Sequence, residues 1–159
     1  TISNGSKVAN SSGFSGLMLM PNTLPKLDNK TAIEYINNCA KDNAIDLYTC
    51  GNLTKNAEGS EIVEMHEMTK VGCKAFSDDK KSTLDTNLLK IALQYSSDCN
   101  ALVINFPNEN SLSKQGHMNE GKTSTELGMR GIPSVSEEII VDRDINISSL
   151  DSSRCRSRN

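Results

Sequence analysis

Two carboxylates stand side by side at Asp78 and Asp79, directly after the short apolar run Cys73-Lys74-Ala75-Phe76 and Ser77. Adjacent carboxylates at the end of a strand can ligate a divalent metal, or one can act as a base while the other orients it. The same residues also suit an N-cap and a solvated turn before the next helix. Asn22 lies between Pro21 and Pro25, so its amide is held on a stiff turn, free to donate and accept. That too reads equally as a plain turn.

Histidine is scarce. His66 falls inside a helical pattern, between Met65 and Glu67, and reads as a surface or boundary residue; His117 lies in a long polar stretch. Neither forms an H-x-H or H-E-x-x-H motif, and a catalytic zinc usually takes three protein ligands. Cys50 ends an apolar run and could act as a nucleophile, although a buried structural thiol is the commoner case. The chain has no G-x-G-x-x-G, no Walker A and no Gly-x-Ser-x-Gly elbow.

These residues need elements to position them. Apolar runs at 17–20, 45–50, 73–76 and 101–104 read as strands. Between them, helical periodicity covers 29–41, 61–71 and 84–96, and a further helix is expected in the first dozen residues. A polar stretch of about 25 residues follows the fourth run, and loops that long are usually functional or flexible. A last helix is expected to open at Pro133, with Ser134 and Glu137 at capping-box spacing and Val135, Ile139, Val141 and Ile145 on its apolar side. Alternation of this kind calls for parallel strands joined by right-handed crossovers. Four strands suit either a small open sheet or half of a barrel.

The chain has 159 residues, too few for a complete (β/α)8 barrel, which takes about 250. Its formal charge of −3 gives no reason to bind nucleic acid or an anionic membrane. Arg154, Arg156 and Arg158 are a local basic excess that reads as a solvated tail. Five widely spaced cysteines, without a C-x-x-C pair, resemble neither a disulfide framework nor a zinc finger. No apolar run approaches a membrane span, and the first residues lack the pattern of a signal peptide. A cytoplasmic protein, entered in mid-chain, is the expectation.

Several stretches, in order, resemble one family. They are Gly13-Phe14-Ser15-Gly16-Leu17-Met18-Leu19-Met20-Pro21-Asn22-Thr23, Leu53-Thr54-Lys55-Asn56-Ala57-Glu58-Gly59 and Ala75-Phe76-Ser77-Asp78-Asp79. Met118-Asn119-Glu120-Gly121, Leu127-Gly128-Met129-Arg130-Gly131-Ile132-Pro133, Glu137-Glu138 and Arg143-Asp144 continue the series. Together the set is similar to dihydroorotase of the amidohydrolase superfamily.

The resemblance implies an α/β fold, a partial TIM (β/α)8 barrel of roughly four parallel βα units, the second to the fifth. It places the barrel domain at residues 1–147 and leaves 148–159 as a divergent polar tail. Active members use zinc at the strand C-termini to interconvert dihydroorotate and carbamoyl aspartate in pyrimidine synthesis. By similarity Asn22 contacts substrate, and Asp79, with Asp78 beside it, takes the position of a bridging metal carboxylate. The family's first metal-binding pair would precede Thr1, and its later histidine and final catalytic aspartate would follow Asn159.

Two departures stand inside the chain. Phe106 occupies a position near which active relatives carry a metal-binding His, and phenylalanine cannot ligate zinc. Lys80 replaces a Gly that often follows the two aspartates. An active, divergent enzyme is the first expectation, with most metal ligands missing from this chain. A non-catalytic dihydroorotase-like subunit that binds aspartate carbamoyltransferase is the alternative, and a homo-oligomer is a further possibility for partners. Allantoinases and hydantoinases share the fold but usually carry a carboxylated Lys where this chain has Phe76-Ser77-Asp78-Asp79.

Overall fold

The computed structural model describes the backbone of residues 1–41 and 43–156 and the side chains of 1–41 and 43–150. Four parallel strands form the main sheet in the order β1-β2-β3-β4. They are β1 (Gly16–Leu19), β2 (Asp46–Gly51), β3 (Cys73–Phe76) and β4 (Leu102–Val103). The crossovers are α2 (Lys30–Ala40), α3 (Met65–Lys70) and α4 (Thr86–Asp98), with α1 (Ile2–Ser11) before the first strand. The α/β class with a parallel sheet of βα units is therefore as expected, and the arrangement is that of part of a TIM-type barrel.

The core lies between the sheet and its helices. Leu27, Ile33, Leu53, Val63, Met65, Met68, Phe76 and Ala92 are buried there together. Successive strand residues point to opposite faces. On the other face, the paired residues Met18 and Tyr48 are 37 % and 44 % exposed, and Leu102, opposite Ala75, is 65 % exposed. Both sheet faces thus carry apolar residues, as in strands destined for a barrel rather than for a one-sided open sheet.

Helix starts follow their caps. The Asn29 side chain accepts from the Ala32 amide and opens α2. Asp85 accepts from the amides of Asn87 and Leu88, which starts α4 after Leu84 and leaves Leu84 outside the helix and exposed. The helix expected over 61–71 is shorter. Val63 donates to the Leu53 carbonyl and Lys55 to that of Glu61, with an antiparallel bridge between Thr54 and Ile62. Backbone groups engaged in that pairing cannot also close a helical turn, so α3 begins only at Met65.

The polar stretch after β4 contains short elements of its own. α5 (Asn110–Ser113), β5 (Met118–Asn119), α6 (Lys122–Glu126) and β6 (Gly131–Ile132) lie in it, and β5 pairs with β6 in parallel. The final helix, α7 (Val135–Arg156), opens where expected, its first turn closed by the Ser134 carbonyl accepting from Glu137 and Glu138. Its apolar side differs from the expected one. Ile140 and Ile147 are buried, whereas Val135, Ile139, Val141 and Ile145 remain exposed. Seven residues is close to two helical turns, so one narrow stripe suffices for the contact with α4 and its neighbours. α7 runs continuously across residue 147, and residues 157–159 lie outside the described part. Among the described residues no helix is long and apolar enough to cross a membrane.

Gly51 is the tightest point of the sheet–helix interface. A Cβ there would meet Met68 Cε at 2.5 Å, Cys73 Sγ at 3.1 Å and the Leu27 carbonyl oxygen at 3.3 Å. Gly51→Ala is expected to lower stability by about 1–3 kcal/mol through overpacking. Gly5→Ala, on α1 with nothing within 4 Å of the new Cβ, is expected to raise it by about 0.5–1 kcal/mol. Urea midpoints of the two variants should therefore move in opposite directions.

Candidate functional site

All four strands of the sheet are parallel, so their C-terminal ends lie on one side of it. Asn22 follows β1, Asn52 follows β2, Asp78 and Asp79 follow β3, and Phe106 follows β4. In α/β folds this is the side on which ligands bind.

The two aspartates have different surroundings. Beyond β3, Ser77 donates to the Gly51 carbonyl and accepts from the Leu53 amide, which extends the β2–β3 pairing past the strands. This delivers Asp78, 6 % exposed, to the loop after β2. One of its oxygens accepts from the amides of Leu53 and Thr54, both at 3.0 Å, and the other from the Thr54 hydroxyl at 2.5 Å. Thr54 Oγ1 in turn accepts from the Gly59 amide at 2.9 Å. Asp78 is thus a fastener between the two loops.

Asp79 is half-buried, with φ at +56°, a left-handed conformation that Asp and Asn tolerate better than most residues. Its amide donates to Ser77 Oγ at 3.1 Å, and its carboxylate makes no hydrogen bond or ion pair among the described residues. The neighbouring Cys50 feels both negative charges. Burial, then Cys73, Asp79 and Asp78 push its thiol up to about 12, so Cys50 stays protonated and is no nucleophile. Burial likewise pushes the Cys73 thiol up to about 11.

Asn22 is exposed on the turn after the buried Pro21. Two contacts hold that turn against the loop after β2. Asn52 donates its amide to the Leu27 carbonyl at 2.7 Å, and its Oδ1 accepts from the Leu27 amide at 2.9 Å. Further along, Asp28 Oδ2 accepts from the Asn56 amide at 3.0 Å. No contact joins Asn22 to Asp79; the structure places them at the same end of the sheet, beyond β1 and β3, with β2 between.

The end of β4 is fixed from outside the sheet. Asn105 Oδ1 accepts from the Thr83 amide at 3.0 Å, and its Nδ2 donates to Asp144 Oδ2 at 2.7 Å. Arg143 donates to the other Asp144 oxygen through Nε and Nη2, at 2.9 and 2.7 Å, and to the Leu84 carbonyl through Nη1 at 3.2 Å. Phe106, next in the chain, is 40 % exposed and offers only carbon. His117 is exposed, its amide donating to the Arg130 carbonyl beside the β5–β6 pair.

Sequence reasoning missed Asn52, Thr54 and Asn105 as positioning residues. Asn52 reads in sequence as a strand stop, and no local pattern announces that it reaches back to Leu27. Nor does the sequence show that Asp78 is a structural anchor, which depends on where the Thr54 loop lands.

These residues do not fit a zinc ion on their own. Asp78 has its oxygens engaged, Asp79 supplies a single carboxylate and Phe106 supplies none. Among the described residues no group of three or more His, Cys, Asp and Glu side chains is placed to hold a metal.

A parallel βα sheet with these residues beyond its strand C-terminal ends is the frame of part of a TIM-type barrel. The family model described as dihydro-orotase-like matches residues 1–154, and the chain belongs to that family. It is 40 % identical over 146 residues to a dihydroorotase of Syntrophus aciditrophicus, covering 91 % of this chain and 34 % of that protein. A dihydroorotase of Pelotomaculum thermopropionicum is 38 % identical over 154 residues, with 97 % and 36 % covered. One of Acetivibrio thermocellus is 42 % identical over 148 residues, with 92 % and 35 % covered. The chain spans about a third of the length of these relatives.

Asp78→Ala removes the acceptor for two buried amides and a hydroxyl. It is expected to destabilise the protein by about 2–4 kcal/mol. Asp79→Asn, which keeps a side chain that tolerates the left-handed backbone and breaks no hydrogen bond of the carboxylate among the described residues, should stay within about 0.5 kcal/mol of the parent. Urea unfolding of the two variants side by side checks the division.

Proposed function

We propose that this chain is part of a dihydroorotase-type cyclic amide hydrolase, which interconverts dihydroorotate and carbamoyl aspartate in pyrimidine synthesis. The observation that carries the reading is the placement of Asn22 and Asp79. Both match the family's motifs, both stand beyond parallel strands, and both sit on turns fastened by buried hydrogen bonds. On this reading the Asn22 carboxamide donates to and accepts from the small cyclic substrate, fixing its orientation. Asp79 presents, at the same end of the sheet, a carboxylate without a partner among the described residues. The zinc expected from the resemblance would need ligands besides Asp79. A cytoplasmic location and a homo-oligomeric state belong to the same proposal.

A second reading is favoured by Phe106. A carbon side chain near the family's histidine position, beside a β4 end that is otherwise firmly held, suits a non-catalytic dihydroorotase-like subunit that binds aspartate carbamoyltransferase.

The test is turnover of dihydroorotate by the full-length protein, with metal analysis of the same sample. For the enzyme, zinc is bound and Asn22→Ala lowers kcat/KM by about 100-fold. For the subunit, turnover is absent, zinc is far below stoichiometric, and aspartate carbamoyltransferase co-elutes with the protein. The isolated 159-residue chain is expected to show no turnover in either case.

A further inference from the structure

His66 and Cys99 form a pair on the helical side of the sheet. Cys99 closes α4 and precedes β4, so it lies toward the strand N-termini, away from Asn22 and Asp79. His66 Nδ1 stands 3.0 Å from Cys99 Sγ. The imidazole is held in place from several sides. Its ring stacks on Tyr95, with centroids 6.5 Å apart and planes 14° from parallel, and the His66 amide donates to the Tyr95 hydroxyl at 3.4 Å. Thr69 Oγ1 donates to the His66 carbonyl at 3.0 Å. Among the charged neighbours, Glu67 is paired with Lys70, and Asp98 adjoins Cys99 in the chain.

We propose that Cys99 is a modification site, a thiol that exchanges with small disulfides using His66 as its base. The thiol proton passes to Nδ1 as Sγ attacks one sulfur of the disulfide. The S–S bond of the reagent breaks, a mixed disulfide forms on Cys99, and the leaving thiolate takes the proton back from His66. Cys99 is oxidised and half of the reagent is reduced, so the exchange needs no other oxidant.

The base matters because burial and Asp98 hold the Cys99 thiol above its ordinary value, against a lowering hydrogen bond from Thr69. A standing thiolate is therefore scarce, and a proton acceptor in contact with sulfur determines the rate. The molecule contains its own comparisons. Cys39 is exposed but has no imidazole in contact among the described residues, and Cys50 and Cys73 are buried.

The test is reaction of the folded protein with 5,5′-dithiobis(2-nitrobenzoate), each cysteine followed by peptide mass. Cys99 is expected to react about tenfold faster than Cys39 or more. His66→Gln should bring Cys99 down to the rate of Cys39 or below, leaving Cys39 itself unchanged. Continued protection of Cys50 and Cys73 verifies that the variant is folded. Labelling of Cys39 before Cys99 in the parent protein overturns the proposal, whatever the variant does. So does an unchanged Cys99 rate in folded His66→Gln.

Discussion

One carboxylate organises the end of this sheet. Asp78 accepts two backbone amides and a hydroxyl from Leu53 and Thr54, and through them the loop after β2 is held against the loop after β3. A buried aspartate is tolerable because each charge-bearing oxygen is matched by donors. The loop it secures also supports Asn52 and, through Leu27, the turn that carries Asn22. Without Asp78, the Thr54 amide would be buried unpaired and the Leu53 amide left with its longer bond to the Ser77 carbonyl, and both turns of the candidate site would lose a common anchor.

The same clasp explains why adjacent, identical side chains have different roles. Asp78 points into the protein and is consumed by structure, whereas the left-handed backbone at Asp79 turns the next carboxylate away from those donors. A pair that looks like a dyad in sequence is one structural anchor and one available group. Phe106 and Lys80 bear on the same region. Neither side chain offers a carboxylate or an imidazole there.

Much of the frame was legible in the sequence. The four apolar runs became the four strands, and the helical pattern read over 29–41 became α2. What could not be read were interactions between distant segments. The early part of the expected helix at 61–71 pairs instead with 53–55, a choice made by backbone partners that periodicity does not encode. On α7 the buried stripe is Ile140 and Ile147, because contact with α4 selects among several apolar positions of similar pattern. Of the site, Asn22 and Asp79 could be singled out by motif, but Asn52, Thr54 and Asn105 act through partners some 20 to 40 positions away.

The hydrogen bond between Asn105 and Asp144 links residues 39 apart, whereas the clasps at Asn52 and Asp78 link residues 24 or 25 apart. Synthesis runs from the N-terminus, and short separations close first. The turns bearing Asn22 and Asp79 can therefore be secured while the chain beyond β3 is still emerging. The end of β4 has one such early anchor, the bond from the Thr83 amide to Asn105, 22 positions away. Its second hold on Asn105 waits until α7 has formed and Asp144 arrives, which makes this the last corner of the site to be fully fastened.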